Sequence, residues 1–388
     1  MHARSLLENL RTIPGVKYIF YIYDSTNPIE EMGIDIEVDY EIVRTPAIKH
    51  SIDRPQDFFK VAKVIWHRYA PLKAYDIDVF VQFDFMLGLP HWRTVRKVLI
   101  AYDLIPLIFP NEYLPSPLYA LKNASGLKNK IKKPLRAAYY RFRYRLHYRE
   151  FSRADMNLSI SDSTAKSLVK YLRVKPERIT TIPLAPVVSS KEPQRIPKLS
   201  GLSKPFFFYI GGTDSRKQVQ DLVDSYNTLR ESGDRVTLVL AGKEFDGVAD
   251  IPSDIIRQSV SSSPYGQDII CIGYVSDEQK QWLYKNAVAF VYPTLYEGFG
   301  LPVVEAMHSS CPVISYNNSS IPEVAGQAAI LVENNNVAEL SKAMHSLLTN
   351  DNLRSKLIQD GRAQSSIFSW ENYMKKFYYS IFATTKDL

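Results

Sequence analysis

The chain has 388 residues, of which 45% are hydrophobic and 23% charged, and a formal net charge of +7. This is a globular composition with enough length for two domains, each with its own core. It offers no run approaching the roughly 18 apolar residues of a membrane span, no signal-peptide core in Met1 to Leu6, and no paired spacing of Cys271 and Cys311 that would suggest a disulfide framework or zinc site, so a cytoplasmic protein with reduced cysteines is expected.

Short apolar runs alternate with helical patterns along the whole chain, which predicts α/β architecture with parallel sheets. In the first half the expected strands are Val16 to Tyr23, Ile42 to Thr45, Val79 to Phe83, Val98 to Tyr102, Met156 to Ile160 and Ile179 to Ile182, with helices such as Phe58 to Tyr69 and Thr164 to Tyr171 between them. Between the fourth and fifth strands, Lys122 to Arg153 carries eleven Lys or Arg against the single acid Glu150. Its second half, Leu135 to Phe151, mixes arginines with tyrosines at spacings that let a helix gather its aromatics on one face. Such a surface suits anionic lipid headgroups, each basic residue near a membrane contributing about 1 kcal/mol. A solvated helix whose aromatics pack inward reads the residues equally well. Nucleic acid is excluded as a partner because no recognisable binding fold accompanies the charge.

A proline-rich tract, Pro183 to Pro205, marks the linker. The alternation then restarts with strands at Phe206 to Ile210, Val236 to Ala241, Ile269 to Ile272, Ala289 to Tyr292, Pro312 to Ser315 and Ala329 to Val332. Ser276-Asp-Glu-Gln279 is a capping box, and Trp370 to Phe382 closes the chain as an aromatic-rich helix. The carboxyl ends of the strands of two doubly wound sheets would face each other, and the cleft between them is the expected site.

Two loops carry most of the chemistry. After the strand Phe206 to Ile210, Gly211-Gly-Thr-Asp-Ser-Arg-Lys-Gln218 brings glycines and two cations to a helix start, and Arg216 and Lys217 could neutralise a departing diphosphate without a metal ion. After Ala289 to Tyr292, the segment Glu297-Gly-Phe-Gly-Leu-Pro-Val-Val-Glu305 sets two carboxylates around a turn that opens a helix. Gly298 and Gly300 permit close backbone approach, and the helix start points amide hydrogens into the loop. Glu297 can reach a sugar, and Glu305, one turn inside the helix, can accept hydrogen bonds from ribose hydroxyls.

The pattern Glu297-Gly-Phe-Gly-Leu-Pro-x-x-Glu305-Ala306 resembles the signature of glycosyltransferase family 4, whose members are retaining nucleotide-sugar enzymes of GT-B fold. The resemblance covers Phe206 to Trp370 strongly and Val98 to Pro186 more loosely. It implies two doubly wound, Rossmann-like domains facing across a cleft: an acceptor-binding domain at 1–190, a linker at 191–204, a nucleotide-sugar-binding domain at 205–368, and a final helix at 369–388 that crosses back to the first domain. It also implies a diphosphate site formed by Arg216, Lys217, Gly211, Gly212, Gly298, Phe299, Gly300 and Leu301, with Lys243, Gly273 and Tyr274 at further strand ends near the base. On the opposite wall, Lys97 to Pro106 resembles a segment in which a strand ends in His-Asp-Leu. Here Tyr102 stands at the histidine, followed by the matching Asp103, and Ser161 is expected to face the cleft.

Three departures accompany the match. Tyr102 is a poor base near neutral pH. The strand and glycine-rich loop that usually open such chains have no counterpart before the first residues, and Ser310 replaces a common glycine. The resulting expectation is a metal-independent, cofactor-free, retaining transfer of a sugar from a nucleotide sugar to a saccharide or lipid-linked acceptor, in bacterial surface polysaccharide or glycoconjugate synthesis. The enzyme is expected in the cytoplasm and at the inner face of the membrane. The alternative is a non-catalytic GT-B subunit that binds a nucleotide sugar or a partner glycosyltransferase.

Overall fold

A computed structural model describes residues 6, 8–10, 17–23, 38–45, 69–83, 86, 88–122, 125–187 and 191–382. In the N-terminal half, β1 (Tyr18–Tyr23) and β2 (Tyr40–Thr45) pair in parallel as one small sheet. A second parallel sheet runs in the order β3 (Val79–Gln82), β4 (Arg96–Ala101), β5 (Met156–Ser159), β6 (Ile179–Thr181). The C-terminal sheet contains β7 (Phe206–Ile210), β8 (Thr237–Ala241), β9 (Ile269–Gly273), β10 (Ala289–Tyr292), β11 (Val313–Tyr316) and β12 (Ala329–Val332), ordered β12-β11-β10-β7-β8-β9. All twelve lie within two residues of the positions expected from the apolar runs. The reason is burial on both faces: β8 and β10 have every residue buried, so they read as unbroken apolar segments rather than alternating ones.

The helices that bear on the site are α1 (Pro110–Tyr113), α2 (Pro117–Lys122), α3 (Leu127–Arg153), α4 (Asp162–Leu172), α5 (Val219–Glu231), α6 (Asp277–Asn286), α7 (Leu301–His308), α8 (Ile321–Ala325), α9 (Asp351–Ser366) and α10 (Trp370–Phe382). α6 begins with the expected capping box, in which Ser276 and Gln279 satisfy each other's backbone amides. The expected helix over Phe58 to Tyr69 falls, apart from Tyr69, outside the described residues.

The strand order of the C-terminal sheet reverses direction between β7 and β10. In an open parallel sheet the loops leaving two such strands diverge to opposite faces and open a crevice at their carboxyl ends. The two loops singled out by sequence are the ones that leave β7 and β10. Their strands carry several of the largest fully buried side chains: Tyr209 and Tyr292 approach at 6.1 Å between ring centroids, and Phe290 stacks on Tyr292 at 5.2 Å.

The proline-rich tract packs against this domain. Ile196 and Leu199 are buried, the Gln194 amide donates to the Glu278 carbonyl (3.1 Å), and Arg195 lies over the Trp282 ring. At the other end, α10 reaches the N-terminal sheet: Arg96 donates to the carbonyls of Ser380 and Ile381 (both 3.0 Å), and Trp370 Nε1 donates to the Pro186 carbonyl (3.3 Å). Ser310 adopts φ +63°, the left-handed conformation that makes glycine common at such a position, and its hydroxyl accepts from Arg362 Nε of α9 at 2.6 Å. Cys271 and Cys311 are both free thiols, and burial pushes that of Cys271 up to about 11.

Candidate functional site

Glu297 is the centre of the crevice. Its Oε1 accepts from Lys217 Nζ (2.7 Å), Arg216 Nη1 (2.8 Å), Thr294 Oγ1 (2.8 Å) and Tyr292 OH (3.0 Å), while Oε2 takes no part in these bonds. Lys217 Nζ also makes a short hydrogen bond to Tyr292 OH, and lies 4.6 Å from that ring's centroid. Arg216 adds a bond to the Tyr296 carbonyl (2.9 Å), and the Leu295 amide returns one to the Arg216 carbonyl (2.7 Å). The loops from β7 and β10 are thus one unit. Sequence reasoning placed Glu297, Arg216 and Lys217 in the crevice, but not in direct contact with each other.

The electrostatics of this group follow from two cations sharing one carboxylate. Burial alone would raise the Glu297 carboxyl, but Lys217 and Arg216 overcome it and hold it below its ordinary value. Burial pulls on Arg216 most strongly, but Glu297 together with Tyr113 and Tyr292 overcomes it, and Arg216 remains charged. Lys217 bears the cost: burial, reinforced by the Arg216 charge, pulls it below the usual lysine range in spite of Glu297. The trio keeps one positive charge, offset only from outside by Asp214, whose Oδ2 is 3.6 Å from Arg216 Nη2.

Glu305 lies deeper, on α7, and has a partner that its sequence position gave no hint of. Lys280 of α6 approaches its Oε1 at 3.0 Å and Asp277 at 3.2 Å. Burial raises the Glu305 carboxyl against the pull of Lys280, and Lys280 itself, although burial pulls it down, is held above the ordinary lysine value by Glu305 and Asp277 together. A second unforeseen residue is Glu244, which accepts from the Thr213 amide (2.7 Å) and hydroxyl (2.6 Å) and so fixes the Gly211–Gly212 turn.

The remaining expected residues divide into those near the crevice and those turned elsewhere. Gly300 caps α7 with φ +94°, followed by Leu301 and Pro302 at its first two positions. The Phe299 side chain is turned into the core, edge-on to Phe368 at 5.5 Å, which leaves only its backbone to a ligand. Leu301 also packs against the core. Gly242 and Gly273 join by a 2.9 Å backbone hydrogen bond at the ends of β8 and β9; beside them Tyr274 is 72% exposed, with Lys243 Nζ 5.9 Å from its ring.

The N-terminal domain closes on this unit through a set of contacts of long sequence separation. Ser161 caps α4 by accepting from the Thr164 amide (2.9 Å) and donates to the Gly298 carbonyl at 2.6 Å. Glu323 of α8 crosses in the other direction, accepting from the amides of Asp162 (3.0 Å) and Ser163 (3.2 Å) at the start of α4. From α1, Glu112 accepts from the amide (3.0 Å) and hydroxyl (2.5 Å) of Ser215, and Tyr113 OH accepts from Arg216 Nε (3.2 Å). Asp103, raised by burial despite a hydrogen bond from the Ile105 amide and the nearby Arg216, lies on the same wall. Tyr102 packs against the core, and its carbonyl faces Gly298.

Gly298 is the narrowest point, since a Cβ there would stand 2.2 Å from the Tyr102 carbonyl oxygen, a backbone atom unable to move aside. Gly298→Ala should therefore push the two walls apart and lower stability by about 1–3 kcal/mol in a denaturant titration. Gly212→Ala, whose Cβ would meet only the movable carboxylates of Glu244 at 3.4 Å and Asp214 at 3.5 Å, should cost much less. Equal costs would mean that the walls are not in contact at Gly298.

Comparison with known proteins agrees with this architecture. Residues 190–364 match the family model described as Glycosyl transferases group 1. O-antigen chain mannosyltransferase B of Escherichia coli is 33% identical over 226 residues, covering 56% of this chain and 58% of that protein. Serotype-specific mannosyltransferase WbdA of Escherichia coli is 28% identical over 292 residues, covering 72% of this chain but 32% of its own length. The chain thus spans a little over half of the first relative and about a third of the second. Among solved structures, Anabaena Alr3699/HepE in complex with UDP-glucose superimposes with a TM-score of 0.65 at 13% identity, covering 95% of this chain and 100% of that one. Sucrose-phosphate synthase from Thermosynechococcus elongatus gives 0.64 at 18% identity, covering 95% and 99%. The chain has the GT-B fold, two Rossmann-like domains with a cleft between them. No helix of the described residues is long and apolar enough to cross a membrane.

Proposed function

We propose that this chain is a glycosyltransferase of family 4 that works in bacterial surface polysaccharide synthesis. It moves a sugar, with retention and without a metal ion, from a nucleotide sugar to a saccharide or lipid-linked acceptor. The observation that carries the proposal is the buried Arg216–Lys217–Glu297 cluster at the switch point between β7 and β10, with its one surplus positive charge. A nucleoside diphosphate leaving group gains negative charge as the bond from its oxygen to the sugar C1 breaks. Arg216, Lys217 and the start of α7 stabilise that charge in a water-poor crevice, each well-placed donor contributing roughly 3 kcal/mol. The acceptor oxygen bonds to C1 on the face the diphosphate vacates, and its proton passes to the departing phosphate oxygen. Glu297, through the Oε2 its cation network leaves unused, orients the sugar hydroxyls.

Glu305 takes the ribose hydroxyls, with Lys280 opposing the burial that raises its carboxyl. Lys280→Met should raise the carboxyl of Glu305 further and weaken donor binding about tenfold at pH 6, with affinity recovering as pH rises and Glu305 loses its proton. Calorimetric titration of the donor across that pH range checks this, and a pH-independent loss would leave Lys280 a purely structural role.

Glycosyl transfer itself is tested by incubating the chain with guanosine and uridine diphosphate sugars, saccharide acceptors and a chelator, then reading the anomeric configuration of the product by NMR. The same anomer as in the donor is expected; an inverted product would overturn the retaining assignment, and loss of turnover with chelator the metal-free one. The second reading, a non-catalytic binding subunit, draws on Tyr102, a phenol where the resembled enzymes present an imidazole. Tight donor binding with no transfer to any acceptor would decide for it.

A further inference from the structure

The helix α3 shows to solvent a stripe that an ordinary solvated helix lacks. Ile131, Leu135, Phe142 and Leu146 are 60%, 65%, 50% and 41% exposed, and at 100° per residue their spacing sets them along one line of the helix. The inward face is the opposite one, with Ala137, His147, Tyr148 and Phe151 buried. Exposed basic residues flank the stripe, Lys132 and Arg136 to one side and Arg145 to the other. The neighbouring α2, which packs on α3, leaves Leu118 and Tyr119 exposed as well.

We propose that this face seats the protein on an anionic lipid bilayer, with the stripe entering the headgroup boundary and the basic flanks at the phosphate layer. Charge complementarity selects this occupant. A second copy of the chain would oppose two helices with eleven cations to one acid over 122–153, which repel, and a polyanion without an apolar phase leaves the stripe exposed to water. The face is also tied to the cleft: Arg141 of α3 donates to the Leu114 carbonyl (2.9 Å), directly after the Glu112 and Tyr113 that touch the Ser215–Arg216 loop. If the chain transfers sugar as proposed above, the cleft would open beside the bilayer, where a lipid-linked acceptor stands. The docking itself does not depend on that reading.

The test is co-sedimentation of the whole chain with vesicles of phosphatidylcholine alone or with one third phosphatidylglycerol. Binding only to the anionic vesicles is expected, weakened but not abolished at 0.5 M salt because the inserted stripe is unscreened. Leu135→Ser with Phe142→Ser should remove the salt-resistant fraction, and Lys132→Glu with Arg136→Glu should lower binding at least tenfold at low salt. All four side chains are exposed, so unchanged thermal midpoints should accompany these losses. Failure of the wild type to bind anionic vesicles at low salt would overturn the proposal. So would a dimer of the wild type on gel filtration that the two serine substitutions abolish.

Discussion

Replacing Lys217 with alanine is expected to cut kcat for sugar transfer roughly a hundredfold or more, with a much smaller change in acceptor KM. The magnitude is that of one donor lost from a preorganised site, roughly 3 kcal/mol, at 1.36 kcal/mol per decade of rate. The position of Lys217 also fixes the pH dependence. Burial and the Arg216 charge hold it below the ordinary lysine value of 10.5, so its proton, and the neutralisation it supplies, is lost as pH rises through a value lower than 10.5. Turnover of the wild type should fall on that alkaline limb, and the limb should vanish from the residual activity of Lys217→Ala. Steady-state kinetics between pH 6 and 10 read both, and an unchanged kcat would remove Lys217 from the site.

Replacing Glu297 with glutamine is expected to destabilise the fold by about 3–5 kcal/mol at neutral pH, because Arg216 and Lys217 then share a buried crevice with the carboxylate that contacts both removed and only Asp214, 3.6 Å from Arg216, as an ion-pair partner. The sign with pH follows from the depressed carboxyl. Its folded value lies below the ordinary 4.5, so its contribution is fully present above about pH 4.5 and is lost as pH falls through the folded value. The gap in stability between wild type and Glu297→Gln should therefore be constant from pH 5 to 7 and narrow in more acid solution. Urea titrations at several pH values would show it. Equal stability at pH 7 would mean that the ion cluster contributes nothing to holding the two loops together.

Much of the architecture was legible in the sequence because burial on both faces leaves a simple mark. Phe206 to Ile210 and Ala289 to Tyr292 are apolar throughout, and each ends in glycines, charges or a turn. The capping box of α6 was legible for the same local reason. What escaped the sequence is set by long-range pairing. Nothing in its surroundings marks Lys280 as the partner of Glu305, 25 residues away, and Glu112 meets Ser215 across 103 residues. The reversal of strand order between β7 and β10 is a property of the folded sheet, and it is what turns two separate motifs into one ion cluster. Phe299, inside the strongest motif, is directed to the core by Phe368, a residue far outside it.

The two caps at the start of α4 show how the site depends on closure. Ser161 spends one hydroxyl on both the cap of α4 and the Gly298 carbonyl, and Glu323 returns a second cap to the same helix from the other domain. The crevice holding Arg216, Lys217 and Glu297 is thereby walled on both sides, which excludes water and strengthens each charge interaction inside it.

Isothermal titration of uridine, guanosine and thymidine diphosphate sugars, in the presence of a chelator, into the wild type and into the Arg216→Ala, Lys217→Ala double variant tests the central claim most directly. The claim predicts saturable binding of at least one of these donors to the wild type and an affinity at least a hundredfold lower in the variant. Donor binding of equal strength in both proteins would contradict it.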